Sequence, residues 1–194
     1  MKELVFATGN KHKIREVYEL LGSEFKLKSL KDIGCTEDLP ETSPTIEGNA
    51  LQKARYVNEV FGLDCFAEDT GLEVEALGGE PGVHSARYAG ENKNPDANIE
   101  LLLEKLTGVA NRKAQFRTVV ALILNGKEFT FEGKVEGVIR QERSGAGGFG
   151  YDPVFQADGF SLTFAEMPSQ EKNAISHRGH AIRKLIDFLK GLSG

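Results

Sequence analysis

The sequence predicts an α/β protein built on a mixed sheet. Short apolar runs such as Leu4–Ala7 are followed by amphipathic segments with a helical repeat, which is the mark of strand–helix units. Asn125-Gly126 separates two long strand-like runs, and both residues tolerate the positive φ of a two-residue hairpin turn. Beyond that turn Phe129, Phe131, Val135 and Ile139 fall on one parity, and Glu132, Lys134, Glu136 and Arg140 on the other. That alternation is a long strand with one wet face.

Taken in order, Leu4-Val5-Phe6-Ala7 reads as a buried strand feeding a helix with Ile14, Val17, Tyr18 and Leu21 on one face, closed by Gly22. Ala50, Ala54, Val57 and Phe61 mark a second helix. The apolar strand after it, around Cys65-Phe66-Ala67, is expected to end at Glu68-Asp69, with Thr70-Gly71 as a sharp turn. A third helix starts by the rules, with Asn94 as cap, Pro95 in the first turn and Asp96 at the positive end of the dipole. Ile182, Leu185, Ile186 and Leu189 mark a fourth. Residues 31–47 and 78–96 are too long and irregular for connectors, and are expected to border a cleft.

With 194 residues, 40% hydrophobic and 27% charged, the chain is expected to form one globular domain over 1–194. Its 24 Lys and Arg against 29 Asp and Glu leave a net charge of −5. Nonspecific nucleic-acid binding needs surplus cations, so that role is disfavoured. Two cysteines without a CxxC pair exclude a disulfide scaffold and fit a reducing compartment. The longest apolar run, Val119–Leu124, is far short of the ~20 residues of a membrane span. With no signal-peptide pattern either, the expectation is a cytoplasmic protein without a membrane partner.

The first helix breaks the rules that the third obeys. After Thr8-Gly9-Asn10, its first turn holds Lys11, His12 and Lys13, cations that oppose the macrodipole. Strand, glycine turn and cationic helix start together make an anion site, most naturally for phosphate; a solvated basic turn is the bland alternative. The pattern recurs near the last helix, where Ser176 is a candidate cap and His177, Arg178 and His180 follow, with Lys172 upstream. Glu68-Asp69 supplies hard oxygen donors of the kind Mg²⁺ takes beside phosphates, and Glu41 is a second source. A solvated strand end explains the same pair without a metal. Gly145–Gly150 matches GxGxxG, but no helix pattern follows, so a dinucleotide fold is rejected. Its glycines instead suggest close backbone approach to a ligand, with Phe149 or Tyr151 as a flat face for a base; an ordinary core aromatic is the bland alternative for Phe149.

In combination these segments are recognisable. Thr8–Lys13, Glu68-Asp69-Thr70-Gly71-Leu72, Pro81–Tyr88, Gly148-Phe149-Gly150-Tyr151-Asp152-Pro153 and Ser176-His177-Arg178 occur in order over nearly the whole chain. Together they resemble the inosine/xanthosine triphosphate pyrophosphatase family. The resemblance implies an elongated mixed sheet with flanking helices, forming two lobes around a central active-site cleft. It implies a homodimeric, Mg²⁺-dependent enzyme that cleaves ITP, dITP or XTP between the α and β phosphates. By the same resemblance Thr8, Gly9, Asn10, Lys11, His12 and Lys13 form the triphosphate loop, and Lys53 is a further phosphate partner. Asp69 would be the general base and a metal ligand, Glu41 the other metal ligand, and Thr70 a neighbour of the substrate. Phe149, Gly150, Tyr151, Asp152, Lys172, His177 and Arg178 would form the nucleoside pocket. A Maf-like nucleotide pyrophosphatase is the rival enzyme, and a nucleotide-sensing module without turnover the rival of another class.

Overall fold

The computed structural model describes residues 3–22 and 25–192. Twelve principal elements follow in chain order: β1 (Glu3–Phe6), α1 (Lys11–Leu21), β2 (Lys26–Lys28), α2 (Ile46–Phe61), β3 (Cys65–Val74), β4 (Pro81–Gly82), α3 (Pro95–Lys105), β5 (Lys113–Leu124), β6 (Lys127–Ile139), β7 (Phe155–Ala157), α4 (Ser169–Ile175) and α5 (His177–Gly191). The strands form one sheet in the order β2-β1-β3-β5-β6-β7, with β4 also on β3. β1 is parallel to β2 and β3, while β4 and β7 run antiparallel to β3 and β6. The sheet is mixed and helix-flanked, as the sequence predicts.

The local signals behave as physics requires. Asn125 and Gly126 both take positive φ, 50° and 73°, at the β5–β6 turn. Asn94 caps α3 by accepting from the backbone N–H groups of Asp96 and Ala97, with Pro95 in the first turn. Gly22 closes α1.

One expectation is corrected. β3 does not stop at Glu68-Asp69: it runs on through Thr70 and Gly71 to Val74, and Glu68 is fully buried inside it. An ionised carboxylate normally ends a buried strand because desolvation is costly. Here cations brought from elsewhere in the chain neutralise it, so the strand continues.

The chain divides into two compact units. The first comprises residues 1–69, 118–133 and 178–194. In it, Leu4, Phe6 and Phe66 pack with Val17 and Leu21 of α1 and with Ala181, Ile182, Leu185 and Leu189 of α5. The alternate residue Cys65 faces α2, where its Sγ lies 3.1 Å from the Ala54 carbonyl oxygen. The second unit comprises residues 70–117 and 134–177. Its core joins Leu72 and Val74 of β3, Ile99, Leu102 and Leu106 around α3, Phe116 of β5 and the run Tyr151, Val154 and Phe155. Arg112 clamps this unit by donating to three carbonyl oxygens, those of Leu106, Ile139 and Arg140, at 2.6–3.0 Å.

Candidate active site

In the first unit the candidate residues converge on β3. Successive strand residues point to opposite faces, so Glu68 shares the face of Phe66 and meets α1 and α5, while Asp69 meets α2. Arg178, 1% exposed, places Nε 3.0 and 2.9 Å from the two oxygens of Glu68, and Nη1 2.5 Å from Glu16 Oε2. Lys13 Nζ lies 3.1 Å from Glu68 Oε1. On the other side Lys53, also buried, donates to Glu41 Oε1 at 2.6 Å and to Asp69 Oδ1 at 3.3 Å.

Charge sets the state of each group. Burial alone would push the Glu68 carboxyl up, but the Arg178 guanidinium and the Lys13 ammonium outweigh it and hold it at about 2. Burial works against the Lys53 ammonium, yet Asp69 and Glu41 raise it above the usual lysine range. For Asp69 the balance tips the other way: burial raises its carboxyl above the usual value despite the attraction of Lys53 and Lys13. Lys13 and Arg178 thus meet Glu16 and Glu68, and Lys53 meets Glu41 and Asp69.

The convergence of Glu41 and Asp69 on one ammonium fits a divalent cation. Mg²⁺ typically takes one or two protein carboxylates and completes its shell with water and substrate phosphates. Among the described residues no three His, Cys, Asp or Glu side chains gather as a metal cage. Glu68 has both oxygens within ion-pair distance of Arg178 or Lys13, while Glu41 and Asp69 share the Lys53 ammonium.

The start of α1 is held open at its end. Asn10 Oδ1 accepts from His12 N at 2.9 Å and Lys13 N at 3.2 Å, and Thr8 Oγ1 accepts from Asn10 N. Lys11 and His12 are exposed, no acidic residue lies in the first turn, and nothing stands within 4 Å of where a Cβ on Gly9 would be.

The second unit brings the remaining candidates together. Asp152, 3% exposed, accepts through Oδ2 from Lys172 Nζ at 2.6 Å and from the Phe149 N–H at 2.8 Å. The Lys172 ammonium stands 5.1 Å from the centroid of the Phe149 ring and 5.6 Å from that of Phe164, a cation–π geometry. His177 is buried and stacks on Phe116 at 4.6 Å between centroids. Thr70 follows Asp69 within β3 and is half-buried.

Two readings of the glycine loop change. An added Cβ would stand 2.6 Å from the Ala165 backbone at Gly145 and 2.8 Å from it at Gly147, and 2.1 Å from Asp152 Oδ2 at Gly148. These glycines therefore admit the protein's own chain; Gly150, with a φ of 61°, has open space around it. The Tyr151 ring belongs to the core, its hydroxyl donating to the Ser85 carbonyl at 2.7 Å, whereas Phe149 is half-buried.

Sequence reasoning missed Glu16, Ser85 and Asn98. Glu16 lies three residues after Lys13, one helical turn along α1, which was the available signal. Ser85 Oγ accepts from Leu72 N and donates to the Gly82 carbonyl, and Asn98 binds the backbone of Ala86 and Ala89. Those bonds order the segment 78–96. Ser176 ends α4 and immediately precedes α5.

Residues 4–188 match the Ham1 family. The chain is 56% identical over 190 residues to the dITP/XTP pyrophosphatase of Porphyromonas gingivalis, covering 97% of this chain and 98% of that one. It is 46% identical over 194 residues to the dITP/XTP pyrophosphatase of Bacillus subtilis, covering 98% of each. Among solved structures, a Ham1 protein from Coxiella burnetii superposes with a TM-score of 0.90 at 40% identity, over 98% of this chain and all of the other. The Ham1 protein of Staphylococcus aureus gives 0.89 at 39% identity, over 98% and 99%. The chain belongs to the Ham1 family.

Proposed function

We propose that the protein hydrolyses non-standard purine nucleoside triphosphates, namely ITP, dITP and XTP, at the α–β phosphoanhydride. The products are the nucleoside monophosphate and pyrophosphate, and the role is to cleanse the nucleotide pool. The observation that carries this reading is the pair of largely buried charge clusters, Lys13 and Arg178 on Glu68 and Lys53 on Glu41 and Asp69, with Lys13 in a cationic helix start.

Phosphoryl transfer needs positioning and charge neutralisation more than covalent help. Lys13 and Lys53 supply cations for the triphosphate, together with the backbone and side chains of Thr8 to His12. Glu41 and Asp69 would hold Mg²⁺, which when bound polarises a phosphate oxygen and acidifies a bound water. Asp69, raised toward working pH by its burial, takes the proton of the attacking water. The water oxygen bonds to phosphorus, the bridging P–O bond breaks, and its electron pair leaves with pyrophosphate.

Base choice follows from hydrogen-bond complementarity. Hypoxanthine and xanthine present a 6-oxo acceptor, where adenine presents a 6-amino donor. Lys172 is a donor only, placed over the Phe149 ring on which a purine can stack. Adenine would therefore oppose donor to donor in a desolvated pocket. Arg178, which the family resemblance also gives as a nucleoside donor, is anchored by Glu68 and Glu16.

The same reading makes the protein a cytoplasmic homodimer. No helix among the described residues is long and apolar enough to cross a membrane. Sedimentation velocity at working concentration measures the oligomeric state.

The test of function incubates the protein with ITP, XTP, GTP and ATP, with Mg²⁺ and with EDTA, and separates the products. Mg²⁺-dependent IMP and pyrophosphate, with GTP and ATP largely spared, is the expected outcome. Orthophosphate would move the cut to the β–γ bond, and no turnover on any nucleotide would leave a binding module.

A further inference from the structure

The acidic segment ahead of α2 is gripped along its length by one face of that helix. Tyr56 Oη donates to Glu37 Oε2 at 2.6 Å, and Lys53 Nζ to Glu41 Oε1 at 2.6 Å. Gln52 Oε1 accepts from Thr42 N at 2.9 Å while its Nε2 donates to Thr42 Oγ1 at 2.8 Å. Asn49 Oδ1 accepts from Ser43 N at 2.8 Å. Residues 49, 52, 53 and 56 recur at helical spacing and form one stripe. As the segment advances from Glu37 to Ser43, its partners step back from Tyr56 to Asn49, so segment and helix run antiparallel.

Gly48 shows how close the two lie. An added Cβ there would stand 1.9 Å from Ser43 Oγ and 2.7 Å from Ser43 Cβ. Glycine in a helix costs about 1 kcal/mol against alanine. The backbone at Gly48 is not in the left-handed region, so the reason for glycine is the neighbouring segment.

The two backbone N–H groups that follow Glu41 are thus both taken by side-chain carbonyls of α2. Fixing those two peptide groups fixes where Glu41 leaves the chain and removes the freedom a loop carboxylate would otherwise lose on binding an ion. We propose that Asn49 and Gln52 are positioning residues that hold Glu41 ready for a divalent cation and thereby set the affinity for that cation. They act through Glu41 and are not catalytic residues. The inference rests on the proposed role of Glu41 as a metal ligand, and reaches residues that role does not include. Partners that orient a metal ligand commonly matter about 10- to 100-fold in metal affinity.

Mn²⁺ titrated into the full-length protein with an ITP analogue carrying a methylene bridge between the α and β phosphates, followed by electron paramagnetic resonance, reads cation affinity without turnover. Asn49→Ala and Gln52→Ala are each expected to weaken Mn²⁺ binding about 10-fold, with affinity for the metal-free analogue unchanged. Thr42→Val removes one hydroxyl at nearly constant volume and keeps the test alive should an alanine variant unfold; it is expected to weaken Mn²⁺ in the same direction by less. Glu41→Gln is the reference. If it weakens Mn²⁺ while the variants that fold bind like the parent, the positioning role is overturned. If Glu41→Gln itself binds like the parent, the metal role of Glu41 fails and the inference falls with it.

Discussion

The two units bury charge in different ways. The first gathers three cations and four carboxylates into two clusters on opposite faces of β3, Lys13 and Arg178 with Glu16 and Glu68 on one and Lys53 with Glu41 and Asp69 on the other. The second buries the pair of Lys172 and Asp152, with the Lys172 ammonium over the Phe149 and Phe164 rings. A phosphate chain and a metal are recognised by charge, which needs many partners held in fixed sites. A purine is recognised by a flat apolar face and a few aimed donors. On the proposed function the first set serves the chemistry and the second serves choice of base, and substitution can separate them.

The sharpest test is Asp69→Asn. It keeps the shape and removes the proton acceptor, and general-base loss of this kind costs on the order of 10³-fold in kcat. Steady-state kinetics and a nucleotide-binding titration should show turnover gone and affinity spared. Near-parent turnover would break the assignment of chemistry to the first unit. Arg178→Ala is expected to cost stability before it alters selectivity, since it leaves Glu68 and Glu16 buried without their guanidinium. Removing one partner of a buried pair typically costs about 3–5 kcal/mol, readable by denaturant unfolding. Lys172→Met instead probes choice: losing a charged donor to the base should narrow the ITP/ATP ratio of kcat/KM by about 10-fold or more. An unchanged ratio would remove selectivity from the second unit.

Acid titration sharpens the comparison further. Glu68 is held at about 2 in the fold against an ordinary 4.5, so its contribution to stability is full above about pH 4.5 and is lost as pH falls toward 2. Glu68→Gln should flatten that acid limb in a series of unfolding curves. Asp69, raised by burial, acts in the opposite sense: the fold favours its protonated form, and that contribution fades as pH rises through its shifted value. The smallest effect belongs to Arg55→Ala. Arg55 and Glu128 meet bidentately, yet both are exposed, so the loss should be no more than about 1 kcal/mol.

How much the sequence disclosed follows from how local each signal is. The β5–β6 turn and the caps of α1 and α3 depend on two to four neighbouring residues, and periodicity marked their helices. Local pattern puts Glu68 at a strand end because one of the cations that let it stay inside β3, Arg178, lies 110 residues further on. The glycine loop reads as facing a ligand because Ala165 lies well beyond any local window. Tyr151 stands beside the glycine loop in sequence, and only the bond to Ser85, 66 residues away, shows its ring tied into the core. Residue types at the site were legible; their pairings were a property of the fold.

The alternation of Glu68 and Asp69 along β3 has a consequence for what changes this chain tolerates. The side-chain period of a strand is two, so a single-residue insertion or deletion between Cys65 and Glu68 would exchange the faces of the two carboxylates. Asp69 would turn toward Arg178 and Glu68 toward Lys53, uncoupling both sets of partners at once. A two-residue shift would restore the parity. Length variation in this family is therefore expected in the segments between elements, with the spacing from Cys65 to Asp69 kept fixed.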